Sequence, residues 1–144
     1  SKFFAAKALI ELGADPNSTS GYEEVTPLMV VATQLPPRTR SGHLAQGPQP
    51  MDLAQMLIDR GADVNTRSKD GVTALMIAAG HNNAPIIAQL GKAGAATDVK
   101  SPIGLTAHDI AKSAGFDSAL GAINMIDRGT AAGRAQMPPS PVPN

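Results

Sequence analysis

Cysteine and tryptophan are missing from this 144-residue chain, and aromatic residues make up only 3% of it. The lack of cysteine excludes a disulfide framework and permits an oxidising compartment without requiring one. The whole aromatic set is Phe3, Phe4, Phe116 and Tyr22. A core of alanine, leucine and isoleucine suits closely stacked helices better than a sandwich of large side chains. No excess of either charge exists: 12 Lys and Arg balance 12 Asp and Glu, and residues 1–69 and 70–144 balance separately. Without a basic stripe to neutralise phosphates, nucleic acid is not the expected partner. No run approaches the roughly 18 apolar residues of a membrane helix, so no membrane span is expected. Neither a signal peptide nor a start methionine precedes Ser1, and residues upstream of it are expected. Low lysine, high alanine and no cysteine lean toward an exported bacterial protein of the periplasm, with the cytoplasm as the alternative.

What is present is a repeat. The most regular stretch runs from Leu57 to Leu90 and reads LIDRGADVNTRSKDGVTALMIAAGHNNAPIIAQL. Leu57 and Ile58 end an apolar-faced helix that Gly61 closes with a left-handed residue. After a polar excursion, Thr73 caps a second helix whose buried stripe is read as Leu75, Ile77, Ala78 and Ala79. Asn82 and Asn83 break it, and Pro85 falls where the first turn of a third helix tolerates proline. Gly61 recurs as Gly94 and Thr73 as Thr106, both 33 residues on. Upstream, Leu9 to Asn17 matches Leu57 to Asn65 at an offset of 48, and Thr26-Pro27-Leu28 precedes the Thr73 cap by 47. The earlier unit therefore carries one extra residue in its finger and 14 extra residues between its two helices.

A period of about 33 residues, with GADPN and GADVN, TPL and TAL, and a closing GLTAHDIAKSAG, resembles the ankyrin-repeat family over roughly residues 3–126. The resemblance implies an all-α helical solenoid with short β-hairpin fingers. Its units are expected at 1–18 (a leading half repeat, second helix only), 19–66 (split by an insertion at 35–50), 67–100 and 101–127, with a proline-rich extended tail at 128–144.

In chain order, Phe3, Phe4, Ala6, Leu9, Ile10 and Leu12 make the first helix too apolar to face water, so either an upstream helix or a partner covers it. Asn17-Ser18-Thr19 is formally a glycosylation acceptor, at a tip where turn chemistry alone favours these residues. Proline and glycine in LPPRTRSGHLAQGPQP forbid a regular element, and helix resumes at Asp52. An insertion of that length is usually functional or disordered. The closing helix is expected over Asp117 to Ile126. Beyond Gly129 no helical period is read, and Pro138, Pro139, Pro141, Val142 and Pro143 give polyproline character.

Chemistry is sought without return. His43, His81 and His108 are far apart, and no HExxH, GxSxG, GxGxxG or GxxxxGK[ST] occurs. Gly91-Lys92 follows a helix instead of opening one, so it cannot cradle a phosphate. His108 beside Asp109 suggests acid–base work, but in the repeat register His108 holds the buried place of Leu28 and Leu75. No catalytic residue, metal, cofactor or small-molecule ligand is expected.

The family resemblance implies protein binding, through finger tips and the exposed face of each first helix. On this sequence those positions are Tyr22, Glu23, Val25, Thr33 and Gln34 in the first full unit. The middle unit offers Lys69, Asp70, Val72, Gly80 and His81, and the last Pro102, Ile103, Leu105, Ser113 and Ala114. A second contact is expected from Arg38 and Arg40 of the insertion and from the proline-rich tail, laid extended on a neighbouring subunit. The chain is thus read as a non-catalytic accessory or structural subunit of a hetero-complex. The alternatives are a scaffold carrying active groups Arg38, Arg40 and His43 on the insertion, and a spacer within a longer chain. Met29, Met76 and Asp109 stand where the family commonly has a histidine, so the bonds it makes between fingers are in doubt.

Overall fold

The structure, a computed structural model, describes residues 8, 10–19, 22–35, 41 and 49–136. The expectations for Phe3, Phe4, Ala6 and Leu9, for Arg38, Arg40 and His43, and for Pro138, Pro139, Pro141, Val142 and Pro143 lie outside the described residues.

Each repeat opens at a threonine. The Thr26, Thr73 and Thr106 hydroxyls accept from the N–H groups of Met29 (3.4 Å), Met76 (3.3 Å) and Asp109 (3.2 Å), covering donors that have no partner inside the helix. These caps start α1 (Pro27–Ala32), α3 (Ala74–Gly80) and α5 (Ala107–Ala114). The returning helices are α2 (Pro50–Asp59), α4 (Ala84–Lys92) and α6 (Asp117–Gln136). The helices α2 to α5 end on left-handed residues: Gly61 and Gly94 at φ 90°, Gly115 at 72° and Asn82 at 53°. At each, the next N–H reaches back five residues, as from Ala62 to the Leu57 carbonyl at 2.9 Å, which satisfies an orphan carbonyl.

Two helix boundaries differ from expectation. α2 begins at Pro50, not Asp52, because proline lacks only an N–H that the first turn leaves unused; Asp52 then accepts from the Gln49 N–H at 2.9 Å. α6 runs through Gln136, where an extended tail was expected from residue 128. Once a helix is nucleated, each added residue costs little, and TAAGRAQ is alanine-rich with no proline before Pro138.

The helices form two layers, with α1, α3 and α5 side by side and α2, α4 and α6 packed behind them. Ala32, Ala78, Ala79 and Ala111 are completely buried, and their small side chains let the inner helices stack closely. Leu28, Leu57, Leu75, Ile86, Ile87, Leu90 and Ile123 fill the space between layers. The stripe of α3 differs slightly from its reading: Ala74 and Met76 are buried, and Ile77 is half-buried toward the open side of the inner layer. In the leading half unit Ile10 is buried, whereas Leu12 is 85% exposed.

The expected β-hairpin fingers are not formed as strands among the described residues. One isolated antiparallel bridge joins Arg67 to Thr73. The finger itself is a tight loop: Ser68 N–H bonds the Val72 carbonyl (2.9 Å) and Gly71 N–H the Ser68 carbonyl (2.8 Å), and Ser101, Gly104 and Leu105 repeat the pattern. A loop this short leaves no length for a ladder.

Gly71 and Gly104 hold φ 70° and 81°, and the residue in the same register of the first full unit is Glu24 at φ 52°. A side chain there crowds its own carbonyl. Glu24→Gly should therefore raise stability by about 0.5–1 kcal/mol, the relief of the left-handed strain less the added chain entropy of glycine. A thermal midpoint unchanged or lowered would show that Glu24 is not strained.

Candidate functional site

Counting from each capping threonine shows which residues the repeat aligns. Three before the cap stand Glu23, Asp70 and Ile103, and four before it Tyr22, Lys69 and Pro102; all six are exposed. Tyr22 and Ile103 are bared to 85% and 80%. Seven and eight after the cap stand Thr33-Gln34, Gly80-His81 and Ser113-Ala114, exposed except for the half-buried Thr33. The structure thus places finger tips and inner-helix ends in two parallel rows.

One before the cap, Val25, Val72 and Leu105 are half-buried, and Val25 and Val72 pack against the core. Val72, expected to point away from the stack, instead leans into it, because the finger folds back onto the helix it precedes.

Sequence reasoning passed over the row between. Four after the cap stand Val30, Ile77 and Ile110, with Val30 50% exposed and the other two half-buried. They share a helix face with the residues three and four further on, which is the signal that could have found them. A Cβ on Gly80 would sit 3.7 Å from Ile110 Cγ2, so this row is continuous from one unit to the next.

The lateral links that the absent histidines leave open are made by other groups. Lys69 Nζ lies 3.2 Å from the centre of the Tyr22 ring, a cation–π contact, and the Lys69 N–H donates to the Glu23 carbonyl at 3.0 Å. The Arg67 guanidinium donates to the Lys100 carbonyl of the next finger. Pro102 leans on Gly71, where an added Cβ would lie 3.0 Å from its Cγ.

On the loops after the outer helices, asparagine ties unit to unit. Asn17 donates to the Gly61 carbonyl (3.0 Å) and accepts from Asp63 N–H (2.7 Å). Asn65 does the same with Gly94 (3.4 Å) and Ala96 (2.8 Å). A carboxamide carries one donor side and one acceptor side, matching a carbonyl and an N–H two residues apart. The recurrence of Asn in GADPN and GADVN was that signal. Asn17 thus has a structural role in joining the leading half unit to the next.

His108 is half-buried instead of buried like Leu28 and Leu75. Asp109 accepts from the Thr106 N–H (3.0 Å) and hydroxyl (2.9 Å), closing a capping box. The backbone N–H of Thr106, then its hydroxyl, hold the Asp109 carboxyl below its ordinary value, with smaller help from His108 and Lys112. The lowered value means this cap supports the fold above the usual carboxylate range and is lost as pH falls through the folded value.

Among the described residues no group of three His, Cys, Asp or Glu is placed to hold a metal, and no helix is long and apolar enough to cross a membrane. A groove of about 1130 Å³ lies on the outer layer between α4 and α6. Its lining contains none of the expected site residues: Ala88, Gly91, Ala95 and Ala122 stand beside Lys92, Asp98 and a Thr97 hydroxyl that donates to Asp127 at 2.5 Å.

Two family models match the chain: one described as "Ankyrin repeats (many copies)", over residues 57–111, and one described as "Ankyrin repeat", over residues 23–69. Together they cover more than half of the sequence, from the first finger to the middle of α5. No curated protein matches the chain.

Proposed function

The chain belongs to the ankyrin-repeat family, whose solenoids are protein–protein interaction modules, and we propose that it serves as a non-catalytic subunit of a hetero-complex. It grips one partner protein along the open face of the inner layer. The observation that carries this reading is the alignment of three rows across all three units: Tyr22, Lys69 and Pro102 at the tips; Glu23, Asp70 and Ile103 beside them; and the apolar row Val30, Ile77 and Ile110. Apolar surface flanked by charged and polar residues is the make-up of an interface core and rim. Exposed Tyr22 and Ile103 supply the anchors, which are the kind of side chain that carries binding energy when desolvated. Lys69 and the acids Glu23 and Asp70 set orientation more than affinity.

The expected result is that affinity capture returns a defined protein, and that Ile103→Asp with Lys69→Glu weakens its binding by about tenfold or more. Circular dichroism should be unchanged, since both side chains are exposed and the Lys69–Tyr22 contact joins finger tips rather than helices. Val72 is unsuited to the test because it packs against the core. Undiminished binding by the double variant would refute the open face as the interface.

A further inference from the structure

The turn between α3 and α4 holds two adjacent asparagines that bond in opposite directions. Asn82 Oδ1 accepts from Ala119 N–H at 3.1 Å, one of the donors that the first turn of α6 leaves without a helical partner. Asn83 is completely buried, and its Nδ2 donates to the carbonyls of Ala32 (3.2 Å) and Gln34 (2.7 Å), where α1 ends. Asn83 is itself the residue that precedes α4, a place where asparagine normally bonds its own helix, yet it makes no such bond. Its Oδ1 is buried and meets no donor among the described residues. Burying an unmet acceptor is unfavourable, so a residue serving packing alone would be better apolar. What the carboxamide does at 83 is donate to the preceding unit.

These groups sit at one end of the open face. Gln34, one of the two carbonyls held by Asn83, belongs to the same row as His81, the residue before Asn82, and as Ser113-Ala114 at the end of α5. In the last unit the equivalent dipeptide is Gly115-Phe116, which has no side-chain amide.

We propose that Asn82 and Asn83 are positioning residues that lock the three inner-helix ends, Thr33-Gln34, Gly80-His81 and Ser113-Ala114, into one rigid row. Asn83 fixes the first against the second and Asn82 the second against the third. This rests on the reading of that row as partner-binding surface, but the lock itself is measurable without a partner.

Because the natural sequence has no cysteine, spin labels can be placed on cysteines at the exposed positions 34, 81 and 113 and their distance distributions measured in the full chain. The 34–81 and 81–113 distances should both be narrow in the parent. Asn83→Leu, which removes the donors at similar volume, should broaden or shift the 34–81 distance and leave 81–113 as it was. Asn82→Gly suits φ 53° and removes only the acceptor. It should broaden 81–113 alone and speed hydrogen exchange at Ala119 by about tenfold. Asn82→Asp retains the acceptor and should restore both. If Asn83→Leu fails to fold, the Asn82 variants decide the matter. Unchanged distances in Asn82→Gly, broadening of both pairs alike, or no rescue by Asn82→Asp would overturn the lock. Unchanged partner binding by the Ile103 and Lys69 variants would instead overturn the interface and leave the lock standing.

Discussion

Leu75→Ala should strongly destabilise most of the chain, not the middle unit alone. Leu75 is 1% exposed at the centre of α3, the helix that touches α1, α4 and α5. Truncating a fully buried leucine removes its transfer energy and leaves a cavity, together about 2–5 kcal/mol. A whole domain is stable by only about 5–15 kcal/mol, and a solenoid of few units lies toward the low end because each unit buries its face only on its neighbours. The loss therefore falls on both interfaces of the middle unit at once. Urea titration followed by circular dichroism should show the helical signal lost at much lower denaturant. An unchanged midpoint would mean that Thr73 does not set the register of α3 as described.

Gly91→Leu should produce a different failure, confined to the end of the stack. Gly91 lies in α4 where α6 comes closest, and a Cβ there would sit 2.3 Å from Ile126 Cγ1 and 2.5 Å from its Cδ1. Glycine inside a helix is otherwise a disadvantage, so leucine would add about 0.5–1 kcal/mol of intrinsic helix stability. Its bulk acts the other way. Overpacking a fitted contact costs about 1–3 kcal/mol, and Ile126 cannot move far while Ile123, one turn earlier, stays buried. The overlap should win, lifting α6 and uncoupling it from the other helices. Thermal unfolding should then split, with an early loss of helical signal from α6 before the main transition. A single transition at the parent temperature would show that α6 does not pack on α4 through this contact.

Much of this architecture could be read from the letters, for reasons that differ by element. The period, the three capping threonines and the left-handed Gly61, Gly94 and Asn82 were legible because each is a local demand of the backbone that only a few residue types meet. The finger and helix-end positions followed from the family register. What stayed hidden depended on neighbours. The half-exposed row Val30, Ile77 and Ile110 looks in sequence like ordinary core, since only the open side of the inner layer exposes it. The inward lean of Val72 depends on how the finger folds back. The reach of α6 to Gln136 was missed because a stretch without an apolar stripe can still continue a helix already nucleated. Asn82 and Asn83 read as a helix breaker, which they are; that each also serves an adjacent unit is a tertiary fact.

Site-specific photo-cross-linking tests most directly whether the open face of the inner layer is the surface that meets another protein. A photoreactive residue placed in turn at Val30, His81 and Ser113 should capture one and the same partner. The same residue at Gln55, Ala88 and Asn124, exposed on the outer layer, should capture none. Capture of that partner from the outer positions, with none from Val30, His81 or Ser113, would contradict the account.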